Sequence, residues 1–191
     1  MWAIIIAAFA TNWGLYVMLS WLPSYFASVH GLSVTQAGIY SAAPWLTMFI
    51  VLNVTAWLAD SLLKQGRSIT FTRKLMQCTG LVGMAACMLL VSTVESSLAA
   101  LLTICASLGF LAFCYSGFAP NALDIAPDHA DALWGVINTA ATLPGIIGVA
   151  VTGWLVDVSG TYASAFALTA VVNLTGAVFW LLFSTGERVI D

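Results

Sequence analysis

The chain has 191 residues, of which 61% are hydrophobic and only 7% are charged. Soluble domains average about 45–50% apolar and about 25% charged residues, so five basic and eight acidic side chains cannot cover a soluble domain of this length. With a mean hydropathy of +1.00, the composition excludes a soluble globular domain, a disordered tail and a fibrous protein. It indicates an integral membrane protein, and the net charge of −3 gives no reason to expect nucleic-acid binding.

Six apolar runs fill most of the chain, and each is near the roughly 20 residues that a helix needs to cross a bilayer. The runs are continuously apolar, which favours helices over the alternating strands of a β-barrel. The sequence therefore predicts an all-α membrane protein with spans at residues 2–26, 36–59, 75–94, 98–119, 132–156 and 163–184. Ser33 and Gln36 have the spacing of a capping box at the start of the second span.

All five basic residues fall on one side of this predicted topology. With six spans, the second loop and the C-terminal tail share a side, and the cations there are Lys64, Arg67, Arg73, Lys74 and Arg188. The positive-inside rule predicts that this side, which also carries both termini, is the cytoplasmic or equivalent one.

The second and fifth spans resemble each other. Thr55-Ala-Trp57-Leu58-Ala-Asp60 and Thr152-Gly-Trp154-Leu155-Val-Asp157 match at four of six positions, and each span contains a proline, Pro44 or Pro144, that predicts a helix kink. This pattern predicts one six-span bundle built as a 3+3 inverted repeat, with units 1–94 and 95–191. A chance match between helices rich in Trp and Leu is the alternative.

The second loop is a candidate gating element. Asp60 at the membrane edge has the charge to pair with Arg67, Arg73 and Lys74, and pairs that break in one conformation act as a latch. The alternative is that these cations only anchor the loop to lipid phosphate.

Neutral polar and aromatic side chains within the spans are candidates for the lining of a substrate cavity. Asparagine and tyrosine at membrane depth are costly without partners, and hydrogen bonding between helices is the alternative role. The candidate cavity residues lie on the first, fourth and fifth spans: Asn12, Trp13, Tyr16, Ser116, Asn138 and Thr142.

No pattern predicts an enzyme or a metal site. Asp124, Asp128, His129 and Asp131 in the fourth loop have suitable ligand types, but their spacing matches no metal motif. The four cysteines form no zinc or redox pattern, no nucleotide-binding loop or catalytic triad is present, and His30 is expected to be a solvated loop residue.

Two sets of motifs lie along the chain. The first set is Asn12-Trp13-Gly14, Ser20–Phe26, Pro44–Met48, Ala59-Asp60, Gly66–Thr70 and Arg73-Lys74, and the second is Asn121–Pro127, Asn138–Ala140 and Ser184–Asp191. Together they resemble the solute carrier family 17 anion transporters of the major facilitator superfamily. The first set is similar to the seventh span and to the eighth span with its loop. In the second set, Asn121–Pro127 and Asn138–Ala140 are similar to the tenth and eleventh spans, and Ser184–Asp191 is similar to the tail of the plant plastid phosphate and anion transporters.

The resemblance implies the C-terminal six-helix half of a twelve-span carrier. Such a carrier moves phosphate or organic anions by alternating access with Na⁺ or H⁺ coupling, needs no cofactor, and sits in the bilayer of a plastid or another organelle. The other six-helix half is expected in cis or in trans. Three residues depart from the family pattern: Thr11 stands where vesicular glutamate carriers have arginine, and Asp128 and Asp131 stand where arginine and glycine are usual.

The predicted topology places every Lys and Arg at the membrane edge, so the sequence predicts no buried cation. An anion at the bilayer midplane needs a cation or helix N-termini facing it. We therefore expect that the chain alone does not bind anions tightly. A non-transporting membrane interaction module and an inactive truncated gene product are the alternative functions.

Overall fold

The computed structural model describes residues 1–189, which form six α-helices and one 3-10 turn. The helices are α1 Trp2–His30, α2 Val34–Lys64, α3 Ile69–Val91, α4 Ser97–Ile125, α5 Ala130–Ser159 and α6 Ala163–Phe183, and the turn at Pro127–His129 precedes α5. All six helices are long and apolar enough to cross a membrane. The predicted all-α class with six spans is confirmed.

Local signals in the sequence set several helix ends. The Gln36 backbone N–H donates to Ser33 Oγ at 3.3 Å, and the Ser33 N–H donates to Gln36 Oε1 at 3.1 Å, so the predicted capping box starts α2. Gly31 and Gly160 end α1 and α5 in the left-handed conformation, with φ of 64° and 69°, which glycine adopts without a steric penalty.

The helices extend beyond the apolar runs, and this corrects the predicted position of several polar residues. Arg73 and Lys74 lie in the second turn of α3, Asp124 lies in the last turn of α4, and His30 is the last residue of α1. The sequence predicted all four in loops, because hydropathy detects the hydrocarbon-spanning part of a helix and misses turns that continue into the interface.

The packing of the first three helices mirrors that of the last three. Helices α1 and α4 are central: α5 and α6 pack on α1, as α2 and α3 pack on α4. Thr55 and Thr152 of the similar segments are both buried, and Trp57 and Trp154 are both exposed. An inverted repeat requires this equivalence, although the division at residue 94 stays a prediction. Pro44 and Pro144 are buried inside α2 and α5, and their role as kinks also stays a prediction.

The segment 185–189, which we call the tail segment, crosses the ends of α3 and α4. Asn121 Nδ2 donates to the Thr185 carbonyl, Gly186 N–H donates to Thr70 Oγ1, and Val189 N–H donates to the Ile125 carbonyl, each at 2.8 Å. Arg188 pairs with Asp128. The last two residues of the family-like tail, 190 and 191, lie outside the described residues.

Candidate functional site

An ion pair between α3 and α4 is the strongest electrostatic feature of the bundle. Arg73 Nε lies 2.7 Å from Asp124 Oδ2 and Arg73 Nη2 lies 3.3 Å from Asp124 Oδ1, which is the bidentate geometry of strong guanidinium–carboxylate pairs. Arg73 Nη1 donates to the Ser116 carbonyl at 3.3 Å. The two side chains are only 9% and 14% exposed, so the pair ties the two helices together largely out of contact with solvent.

This pair corrects two predictions. Arg73 was expected to pair with Asp60, but its carboxylate partner is on α4, and Asp60 is exposed without an ion pair among residues 1–189. Arg73 is also a buried cation, where the sequence predicted none. Its charge is neutralised by Asp124.

The other two basic residues of the predicted gating loop remain without a carboxylate in the described chain. The Arg67 guanidinium lies over the ring of Phe71, with its carbon 5.7 Å from the ring centroid, and Lys74 is half-exposed on α3. The proposed latch of Asp60, Arg67, Arg73 and Lys74 is therefore not assembled in this conformation.

Gln77 forms a second polar junction one turn deeper in α3. Its Nε2 donates to Thr11 Oγ1 of α1 at 3.0 Å, and its Oε1 accepts from the Phe118 backbone N–H of α4 at 3.1 Å. Gly117 permits this approach, since a Cβ there would lie 2.7 Å from Gln77 Oε1. Sequence reasoning missed Gln77, although a glutamine inside an apolar span was a visible signal.

Three of the predicted cavity residues are buried inside the chain. Ser116 Oγ donates to Thr55 Oγ1 at 3.2 Å, which is a contact between α4 and α2. Asn12 Nδ2 donates to the Ala8 carbonyl of its own helix at 2.9 Å. Trp13 packs over Gly148 of α5, where a Cβ would lie 3.3 Å from the indole ring. Each of these contacts is a packing or hydrogen-bonding contact within the bundle, which agrees with a structural role more than with the lining of a substrate cavity.

The other three predicted cavity residues lie at the surface of α1 and α5. Asn138 and Thr142 of α5 are exposed, and Tyr16 of α1 is half-buried. The Tyr16 ring covers Gly145, where a Cβ would lie 3.4 Å away. We call Tyr16, Asn138 and Thr142 the open polar face.

The structure also gives the surroundings of the fourth-loop residues and of His30. Asp128 pairs with Arg188 of the tail segment, and no group of three or more metal-ligand residues occurs within residues 1–189. His30 Nε2 lies 3.1 Å from Tyr25 Oη. The imidazole therefore joins an aromatic cluster, where it was predicted to be solvated.

The aromatic cluster contains Tyr25, Phe26, Tyr40, Tyr162 and Phe166. Tyr25 is central to it, with ring centroids 5.2 Å from Phe166 and 5.5 Å from Tyr162 in edge-on geometry. Phe26 meets Tyr40 at 5.4 Å. Rings from α1, α2, α6 and the loop before α6 are thus packed together at the end of the bundle opposite the Arg73–Asp124 pair.

Known proteins similar to this chain are membrane transporters. A "Probable anion transporter 1, chloroplastic" of Oryza sativa subsp. japonica is 39% identical over 100% of this chain. An "Ascorbate transporter, chloroplastic" and a "Sodium-dependent phosphate transport protein 1, chloroplastic" of Arabidopsis thaliana are each 38% identical over 100% of it. The chain spans 35–37% of the length of these relatives. Their names agree with the prediction that the chain is not an enzyme.

A solved structure shows the fold of the chain, and a family model shows its family. A crystal structure of a POT family transporter superposes with a TM-score of 0.78 at 16% identity, over 98% of this chain and 40% of that one, which shows a shared fold. The sequence model described as "Major Facilitator Superfamily" matches residues 1–149. The chain therefore belongs to the major facilitator superfamily.

Proposed function

We propose that this chain supplies the C-terminal six-helix half of a secondary carrier of inorganic phosphate or organic anions, a member of solute carrier family 17. The carrier works by alternating access as a symporter coupled to Na⁺ or H⁺. The observation that carries this proposal is the open polar face: Asn138 and Thr142 of α5 are exposed, and Tyr16 of α1 is half-buried over Gly145 of α5. A half-carrier needs such a face to line one wall of a pathway. The similarity to named plastid anion transporters supports the anion as substrate, and a plastid or other organelle membrane as the location.

The exposure of α2 and α5 supports a second six-helix half as the partner. Only 17% of the membrane-spanning part of α2 and 22% of that of α5 are buried, against 61% for α1. The relatives are nearly three times as long as this chain, so they have room for another bundle. We infer that a second half, in cis or in trans, covers α2 and α5.

The charge distribution supports a division of labour between the halves. The buried Arg73 is already neutralised by Asp124 at 2.7 Å, and an anion desolvated at the midplane needs an unneutralised cation or helix N-termini. We therefore expect the other half to supply the cation that binds the substrate. The chain alone is expected to bind phosphate weakly.

The Arg73–Asp124 pair is proposed to make α3 and α4 move as one unit. A bidentate pair that is mostly buried resists separation, because parting its members leaves charges without compensation. Asp60, Arg67 and Lys74 lie on the same side without ion pairs among residues 1–189. Of these, Asp60 lies on α2, the helix proposed to face the other half, and it remains available for a contact with that half in a gating step.

The test is uptake of labelled phosphate by proteoliposomes. One preparation contains this chain alone, and a second contains this chain fused behind the preceding part of the Arabidopsis sodium-dependent phosphate transport protein. Each is assayed with and without a Na⁺ or proton gradient. We expect gradient-driven uptake only by the fusion, and we expect Asn138→Ala with Thr142→Ala to reduce it at least tenfold.

The matched control is Thr175→Ala, which removes a hydroxyl from an exposed position on α6 and is expected to leave uptake unchanged. Equal uptake by the chain alone would contradict the half-carrier proposal. Full uptake by the variant with Asn138→Ala and Thr142→Ala would show that the open polar face does not line the transport pathway. A folded fusion that takes up no labelled phosphate with either gradient would favour the membrane interaction module.

A further inference from the structure

A groove of about 310 Å³ runs along the outer seam between α3 and α6. Its lining comprises Phe71, Lys74, Leu75, Cys78 and Thr79 of α3, with Leu181 of α6. The α3 residues follow the spacing of one helix face. From Phe71 to Thr79 the groove extends about 12 Å along the helix axis, which is the length of a substantial part of an acyl chain.

Two cations border one end of this groove. Lys74 forms part of the lining, and the Arg67 guanidinium lies 5.7 Å from the centroid of the Phe71 ring, which is another lining residue. Neither cation has an ion pair in the described part of the chain, whereas the neighbouring Arg73 is paired with Asp124. The groove is therefore apolar along its length and carries two unneutralised positive charges at the end nearest the α2–α3 loop.

We propose that this seam binds an anionic phospholipid. The lipid belongs to the leaflet on the side of the α2–α3 loop, its phosphate lies against Lys74 and Arg67, and one acyl chain lies in the groove beside Leu75, Cys78 and Leu181. The apolar lining favours a lipid over a free phosphate ion, which would use only the cations. Basic pockets between transmembrane helices bind anionic headgroups on this principle.

The position of the groove leaves it accessible to lipid in a complete carrier. It lies on α3 and α6, whereas the faces proposed to meet the other six-helix half lie on α2 and α5. In this respect the inference rests on the proposed half-carrier arrangement, but the lipid test below uses this chain alone. Failure of the lipid test therefore does not imply failure of the half-carrier proposal, and failure of the half-carrier proposal does not imply failure of the lipid test.

The experiment is native mass spectrometry of the full chain in a neutral detergent. The chain is titrated with phosphatidylglycerol or with phosphatidylcholine that has the same acyl chains. We expect preferential retention of phosphatidylglycerol, and we expect Lys74→Gln to weaken it about fivefold, which corresponds to the about 1 kcal/mol that one basic side chain contributes at an anionic surface. Lys74→Arg is expected to retain the preference.

The matched control is Lys64→Gln, which removes a cation at the end of α2 outside the groove and is expected to leave binding unchanged. Cys78→Trp, which fills the groove, is expected to weaken both lipids. The proposal would be overturned if Lys64→Gln weakened phosphatidylglycerol binding as much as Lys74→Gln does. It would also be overturned if the chain retained phosphatidylglycerol and phosphatidylcholine equally. Displacement of the lipid by millimolar inorganic phosphate would also overturn it, because it would indicate a free-anion site. Thermal melting of each variant confirms that it is folded.

Discussion

The two ends of the bundle are held together by different chemistry. At the end that carries the α2–α3 loop, an ion pair and the three hydrogen bonds of the tail segment connect the helices. At the opposite end, the Tyr25 ring of the aromatic cluster packs edge to face against Tyr162 and Phe166, and Tyr25 also forms a hydrogen bond with His30. We call these the polar end and the aromatic end.

The difference indicates how each end responds to a perturbation. Charge-assisted contacts depend on both partners, because an orphaned charge away from water costs several kcal/mol. Ring contacts contribute through buried area and through an edge-to-face preference of about 0.5–1.5 kcal/mol per pair. Neutralising a charge should therefore affect the polar end, and trimming a ring should affect the aromatic end.

The largest effect is expected at the Arg73–Asp124 pair. Arg73→Leu leaves Asp124 without its cation, and we expect a loss of about 3 kcal/mol in the free energy of unfolding, measured by denaturation in detergent. The double variant Arg73→Leu with Asp124→Leu removes both charges and should be more stable than the single variant. A double variant as unstable as the sum of the two single variants would show that the pair does not act as a unit.

An intermediate effect is expected at the aromatic end. Phe166→Leu removes the edge-on contact of this ring with Tyr25 at 5.2 Å and its tilted contact with Tyr162 at 6.2 Å. We expect a loss of about 1–2 kcal/mol in the same denaturation assay. Phe49→Leu is the control, because Phe49 is 66% exposed. Equal losses in the two variants would mean that ring packing does not hold this end.

The smallest effect is expected in the tail segment. A Cβ at Gly186 would lie 2.7 Å from the Thr70 backbone nitrogen and 2.6 Å from Ile69 Cγ2, so Gly186→Ala should displace the segment at a cost of about 0.5–1 kcal/mol. Amide hydrogen exchange at Val189 should become faster. Gly135→Ala has open space around its new methyl group and should leave that exchange rate unchanged. Unchanged exchange in the Gly186 variant would show that the segment is held without this contact.

The six spans were predictable because hydropathy and helix length are local properties of the sequence. Ser33 and Gln36 were predictable for the same reason, since a capping box spans four residues. The start of α3 and the end of α4 could not be predicted in this way. Arg73 and Asp124 interrupt the apolar pattern there, although the helices continue through them.

The pairing of Arg73 with Asp124 could not be predicted from the sequence, for a different reason. The two residues are 51 positions apart, and no local pattern links them. Asp60 is nearer in the chain, but the carboxylate that Arg73 contacts in this conformation is Asp124. The sequence also could not predict which cavity candidates are buried. Ser116 donates a hydrogen bond to Thr55 inside the bundle, whereas Asn138 is exposed at the surface. Which side of a helix faces its neighbours depends on the whole bundle.

The tail segment has a consequence for the order of biosynthesis. Its bonds with Asn121 and Thr70 join residues 64 and 116 positions apart, and residues 185–189 follow α6 in the chain. These bonds therefore form only after the sixth helix has been synthesised. During translation the polar end is therefore completed last, because these bonds need residues that follow α6.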